Sequence, residues 1–136
     1  MAVTYLAALK TARMQRVADR IATLTDATAT GSPTTGTLVI GTSALSGATG
    51  VLATFTITTA VTSGVSGSVL TIPLTASTVT ASASGTAALA EVRNNAGTVI
   101  ISGLTVGTSG SDINLNSTSI TSGGNVTISS ATITHA

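Results

Sequence analysis

Side chains able to do chemistry are scarce in this sequence. The only histidine is His135, and the only acids are Asp19, Asp26, Glu91 and Asp112. General acid–base catalysis needs a group that titrates near neutral pH, and nucleophilic catalysis needs a base beside the nucleophile. His135 stands one residue from the end of the sequence, where chains fray, so a Ser-His-Asp site built on it is not expected. No two carboxylates lie close enough in sequence to form an acid and base pair. There is no cysteine, which removes disulfides, thiol catalysis and thiolate metal sites. The chain reads as non-enzymatic.

Asp112-Ile113-Asn114-Leu115-Asn116 places side-chain oxygens at alternate positions, like the opening of a calcium loop. Such a loop also needs Gly at its sixth place and Glu at its twelfth; here those places hold Ser117 and Gly123. The simpler reading is a strand with polar side chains on one face. Gly107-Thr108-Ser109-Gly110 has no lysine and no helix after it, so it is not a phosphate loop. Glu91 and Arg93 are two apart on a strand pattern, share a face, and are expected to pair with each other. Asn116-Ser117-Thr118 and Asn125-Val126-Thr127 have the form of glycosylation sequons, which arise easily by chance in so Thr- and Ser-rich a chain. No metal or cofactor is expected.

The basic residues are the remaining candidates. Lys10, Arg13, Arg16 and Arg20 all fall in the first twenty residues of a chain whose net charge is only +1. On a helix, Arg13, Arg16 and Arg20 line one flank and could touch a few phosphates with weak, salt-sensitive affinity. There is no aromatic platform, recognition-helix context or overall basic charge to support such binding. A basic stripe meeting an acidic protein surface is the more economical reading.

These residues must be positioned by an unusually small-sided chain. Its 136 residues weigh 13.1 kDa and include 29 Thr, 17 Ser and 14 Gly. Tyr5 and Phe55 are the only aromatics, and charged residues make 7% of the chain against a usual quarter or so. Positions 27–90 contain no Asp, Glu, Lys or Arg. A disordered segment would also be poor in Val, Ile and Leu, which this one is not, so it should fold. A free monomer normally keeps itself soluble with mixed surface charges; a nearly uncharged Thr/Ser/Gly surface suits a chain packed in an assembly. No apolar run approaches the roughly 20 residues needed to span a bilayer, and no secretory signal pattern opens the sequence. No membrane is expected as a partner.

The pattern predicts a mainly β protein: an N-terminal amphipathic helix within 1–26, a linker over 27–35, and an antiparallel β-sandwich or barrel over 36–136. At 100° per residue, Val3, Leu6, Met14, Val17, Ile21 and Leu24 fall along one stripe, which predicts a packing face, with Lys10 in its middle. The helix would be roughly 33 Å long. After Pro33 the period becomes two. Val51, Ala53, Phe55 and Ile57 alternate with Leu52, Thr54, Thr56 and Thr58, a half-buried strand, and Leu70, Ile72 and Leu74 alternate across Pro73, so that strand is an edge or ends there. Segments 86–93 and 98–106 flank Asn94-Asn95-Ala96-Gly97, a predicted hairpin, and Ile120 and Val126 flank a second one around Gly123-Gly124. Val126 and Ile128 are even-numbered but Ile133 is odd, so a bulge near Ser129-Ser130 is expected.

The order of segments in the C-terminal half also resembles a known family. It runs Gly85-Thr86-Ala87, Glu91-Val92-Arg93, Asn95-Ala96-Gly97-Thr98-Val99-Ile100, then the stretch from Gly107 through Asp112, Asn114 and Asn116 to Ile120. Gly123-Gly124-Asn125-Val126-Thr127-Ile128 and Ala131-Thr132-Ile133-Thr134 follow. This is similar to small virion structural proteins of tailed bacteriophages, of the capsid-decoration (cement) type. The resemblance is closest over 85–134, and its most specific part is 107–120. It implies a homo-oligomer on the capsid surface, made in the bacterial host cytoplasm, that binds the major capsid protein and copies of itself. Lys10, Arg13, Arg16 and Arg20 would then contact the capsid. A tail, neck or fibre component of the virion would show the same composition.

Overall fold

The computed structural model describes residues 8–9, 11–14, 36–57, 65–66, 69–94 and 99–134. The chain is mainly β. Its strands are β1 (Thr37–Ser46), β2 (Thr49–Thr56), β3 (Val65–Ser66), β4 (Val69–Thr71), β5 (Thr78–Thr80), β6 (Gly85–Thr86), β7 (Leu89–Arg93), β8 (Val99–Gly107), β9 (Ile113–Leu115), β10 (Ser119–Ile120) and β11 (Asn125–Thr134). Among the described residues, one sheet runs β2-β1-β7-β8-β9-β11-β4-β3, with β5 also on β11, and β6 pairs separately with β10. β-branched Thr, Val and Ile suit the pleated, half-buried surface, which is how so small-sided a chain holds so much strand.

Alternation sets the core. Leu38 sits opposite Phe55 on one side and Val92 on the other, and Ile40 sits opposite Ala53 and Ala90. All six are at most 1% exposed. Each row brings side chains of one face into contact across three strands, and burying a Leu, Ile or Phe in this way stabilises by about 1.5–3 kcal/mol. Ile113, Leu115, Val126 and Leu70 extend the same core to the other end of the sheet.

The sheet curls into a half-barrel, and backbone hydrogen bonds tie its β2 edge to the far side. The segment between β4 and β5 leaves β11 at Pro73, where no N–H is available. Leu74 there forms a bridge with Ile57, and Thr75 N donates to Thr56 O at 2.9 Å. Further along, Ser82 N donates to Leu52 O at 2.8 Å.

Three details differ from the sequence reading. First, the sheet is mixed: β8 and β9 run parallel through Val106–Ile113 and Gly107–Asn114. Parallel strands usually need a crossover of a dozen or more residues, whereas here only 108–112 intervene. Second, the residues around Gly123-Gly124 do form a turn, with Gly124 N donating to Thr121 O at 2.8 Å, but its flanks do not make a hairpin. Ser119–Ile120 pairs with β6, and Asn125–Thr127 pairs with β5. Third, 86–93 is not one strand. Ala87 N turns to Thr118 O and Ala88 N to Gly41 O, separating β6 from β7.

Other expectations agree with the structure. β4 stops before Pro73, and β7 and β8 are antiparallel; residues 95–98 of their connection lie outside the described residues. The register of β11 slips between Ile128 and Ser130, so an extra residue moves the buried positions from Val126 and Ile128 to Ala131. Of the N-terminal helix, residues 8–9 and 11–14 are described and helical. Met14 is 2% exposed and belongs to the core cluster. Leu6, Val17, Ile21 and Leu24 of the expected packing face lie outside the described residues, as does the 27–35 linker.

Candidate functional site

The motif from Gly107 to Asn116 forms one connected cluster. Asp112 Oδ2 accepts the backbone N–H and the hydroxyl of Thr105, each at 3.1 Å. Asp112 N donates back to Thr105 Oγ1 at 3.1 Å. This reciprocal clasp closes the 106–111 loop at its neck and lets β9 lie parallel to β8. Two glycines make so tight a loop feasible. A Cβ at Gly107 would lie 2.5 Å from Ser111 Oγ, and Gly110 has φ +68°, a left-handed conformation open chiefly to glycine.

Asn114 and Asn116 continue the work on the other side of β9. Asn114 Oδ1 accepts Ser111 N–H at 3.1 Å, and its Nδ2 donates to Ser111 O at 3.1 Å and Ser130 Oγ at 2.8 Å. Ser129 Oγ donates to Asn114 O at 3.1 Å, so the bulge of β11 is held by the strand it faces. Asn116 Oδ1 accepts Thr127 N–H at 3.3 Å. Asp112 Oδ2, Asn114 Oδ1 and Asn116 Oδ1 thus each accept hydrogen bonds from donors of the chain itself. Among the described residues no cluster of three His, Asp or Glu side chains stands ready for a metal.

Glu91 and Arg93 form the second polar arrangement. Arg93 Nε and Nη2 donate to Glu91 Oε2 at 3.1 and 2.9 Å, and Nη2 also donates to Gly47 O at 2.7 Å. The Arg93 and Glu91 side chains are only 16% and 10% exposed. Both stand on the sheet face opposite the core, because the intervening Val92 is buried within it. Gly47 belongs to the tip of the β1–β2 hairpin, far along the chain from Thr37, the β1 partner of Arg93. The tip therefore folds back. The bend is at Gly41, where the β1–β2 register jumps and a Cβ would come within 2.5 Å of Leu45 Cδ1 and 2.7 Å of Gly50 O.

Arg13 is half-buried on the helical segment. Lys10, Arg16 and Arg20, the other expected contacts of the basic stripe, lie outside the described residues. The structure brings Gly107, Asp112, Asn114 and Asn116 together. It adds Thr105, Ser130, Gly41 and Gly47, which carry no local sequence signal because their neighbours come from distant strands, and Ser111, whose bonds to Asn114 span only three residues. Comparison with family models, curated proteins and solved structures finds no match.

Proposed function

We propose that the chain is a non-enzymatic structural protein of a tailed-phage virion, a capsid-decoration protein that binds the shell as a homo-oligomer. The reading starts from the resemblance over 85–134 and takes its main support from one observation. Residues 36–134 contain three ionic side chains, Glu91, Arg93 and Asp112, and all three bond within the chain. What remains outside is a neutral surface of Thr and Ser hydroxyls and small methyl groups on a hydrogen-bonded β frame. Such a surface binds through shape and many weak contacts, which symmetry and avidity multiply on a particle. Charge is concentrated instead in Lys10, Arg13, Arg16 and Arg20. In this proposal those residues lie along an amphipathic N-terminal helix ahead of the β domain and meet carboxylates of the major capsid protein.

The test is copy number in purified particles, by quantitative mass spectrometry against the major capsid protein. A ratio near one, or a simple fraction of it, supports decoration of the shell. A handful of copies moves the protein to the neck, tail or a fibre. Absence from particles overturns the virion reading.

A further inference from the structure

Val39 and Glu91 are buried on the outer side of the sheet. They face each other across β1 and β7, and successive side chains of a strand point to opposite faces. Leu38, Ile40, Ala90 and Val92 point to the core, so Val39 and Glu91 point away from it, yet they are only 2% and 8% exposed. Val39 is not a member of the core cluster. The folded-back tip of the β1–β2 hairpin accounts for this burial. Leu45 stands against Gly41 at one end of the strip. At the other end Gly47 O accepts from the guanidinium that also holds Glu91, the register partner of Val39. The tip is itself poorly buried: no residue over 42–50 is a buried one.

The attachment of the tip is slight. The β1–β2 register runs as far as Gly41–Val51 and resumes at Ser46–Thr49, so 42–45 stand opposite Gly50 alone. Glycine bounds this gap on both strands, and Gly50 has φ +73°. Within the gap Thr42 Oγ1 accepts Ala44 N–H at 3.2 Å, which makes a local turn and no bond to the sheet. Among the described residues, the bond from Arg93 Nη2 at 2.7 Å is the one hydrogen bond from 43–50 to anything outside its own hairpin. Segments with exposed backbone and few buried apolar contacts open at far lower free energy than the core.

We propose that the tip over 42–50 is a strap that opens as a unit about Gly41 and Gly50 while the sheet stays folded, with Arg93 as its latch. Opening breaks one charge-assisted hydrogen bond and lifts Leu45 from Gly41, and it leaves every core row in place. The outer face then changes character. A covered face becomes an apolar strip at Val39 beside the Glu91–Arg93 pair, with one guanidinium donor released. The strap, which carries no charge, thus keeps the ion pair of the β domain behind a neutral lid. The device does not depend on where the chain acts.

The experiment is thiol labelling of the folded full chain. The sequence has no cysteine, so one introduced thiol reports its own exposure to an aromatic disulfide reagent. Val39→Cys probes the face under the strap, and Val92→Cys, on the neighbouring strand and 0% exposed, probes the core. Val39→Cys should react about tenfold faster or more than Val92→Cys, with a weaker dependence on urea because less surface opens. Ile113→Val, a core substitution at the far end of the sheet, should speed Val92→Cys labelling several-fold and leave Val39→Cys unchanged. Arg93→Met should speed Val39→Cys labelling by about tenfold or more. Equal rates and equal urea dependence at the two thiols overturn the proposal, since the tip would then lift only when the sheet unfolds. Val39→Cys labelling as fast as in the unfolded chain also overturns it, as does a rate indifferent to Arg93→Met. If Val39→Cys does not fold, amide exchange of the unsubstituted chain decides. Amides of 42–50 should then exchange through an opening insensitive to low urea, while those of 38–40 follow urea; one shared urea-dependent opening overturns the strap.

Discussion

Removing one partner of the Glu91–Arg93 pair should damage the fold, and removing both should largely repair it. In Arg93→Met the Glu91 carboxylate, 10% exposed, keeps its burial and loses two hydrogen bonds from the guanidinium. Breaking a buried ion pair from one side costs about 3–5 kcal/mol; the residual exposure of this pair places the expected loss near the lower end, about 3 kcal/mol. For 136 residues the unfolding entropy is about 0.29 kcal/mol/K, so the melting temperature should fall by about 10 °C. Glu91→Leu should cost less, about 2 kcal/mol, because Arg93 keeps the Gly47 carbonyl at 2.7 Å. The double variant Glu91→Leu/Arg93→Met leaves no orphaned charge and should lie within about 1–2 kcal/mol of the parent, a coupling of roughly 3 kcal/mol. Urea unfolding followed by far-UV circular dichroism measures all four corners of the cycle. Amide exchange over 42–50 should accelerate in both variants that lack Arg93, since the hairpin tip loses its tether. If the single losses simply add in the double variant, the two side chains behave as independent solvated charges and the reasoning fails.

Three further outcomes are expected. Gly41→Ala should destabilise by about 1–3 kcal/mol in the same unfolding assay. Adding Leu45→Ala should not restore the loss, because the Gly50 carbonyl, 2.7 Å from the added Cβ, is backbone and cannot swing aside. Asp112→Ala should cost about 1–2 kcal/mol and speed exchange of the Thr105 amide selectively, while Asp112→Asn, which keeps an acceptor oxygen, should cost less; equal exchange in all three proteins would mean the clasp does not hold the loop. On the capsid reading, Arg16→Glu with Arg20→Glu should weaken attachment to particles most at low salt and leave the unfolding transition unchanged, and attachment indifferent to both charge and salt would remove those residues from the interface.

Alternation was readable wherever one strand face is buried. Ala53, Phe55 and Ile57 point to the core as their spacing requires, whereas Leu52, expected on the outer face, is 1% exposed where the β1–β2 register shifts past Ile40; the change of phase between Ile128 and Ala131 located the bulge in β11. The Glu91–Arg93 pair was also visible, because residues two apart on a strand share a face whatever the strand pairs with. The second hairpin was misread because a turn sequence such as Gly123-Gly124 specifies a reversal of the chain and not the strands that flank it. Of Asp112, Asn114 and Asn116, expected on one strand, only Asn114 lies within β9, and nothing local pointed to Thr105 as the partner of Asp112.

Residue types and their period thus determined that this chain is mainly β, where its core-facing positions lie, and that its charge is gathered near the N-terminus. Local sterics and solvation fix these properties within a few residues. Tertiary structure alone decided that β9 lies parallel to β8, that the β1–β2 tip folds back to Arg93, and that the motif's polar groups bond to Thr105, Ser130 and Thr127. Each depends on register between segments distant in the chain, and register is chosen by the whole core packing at once.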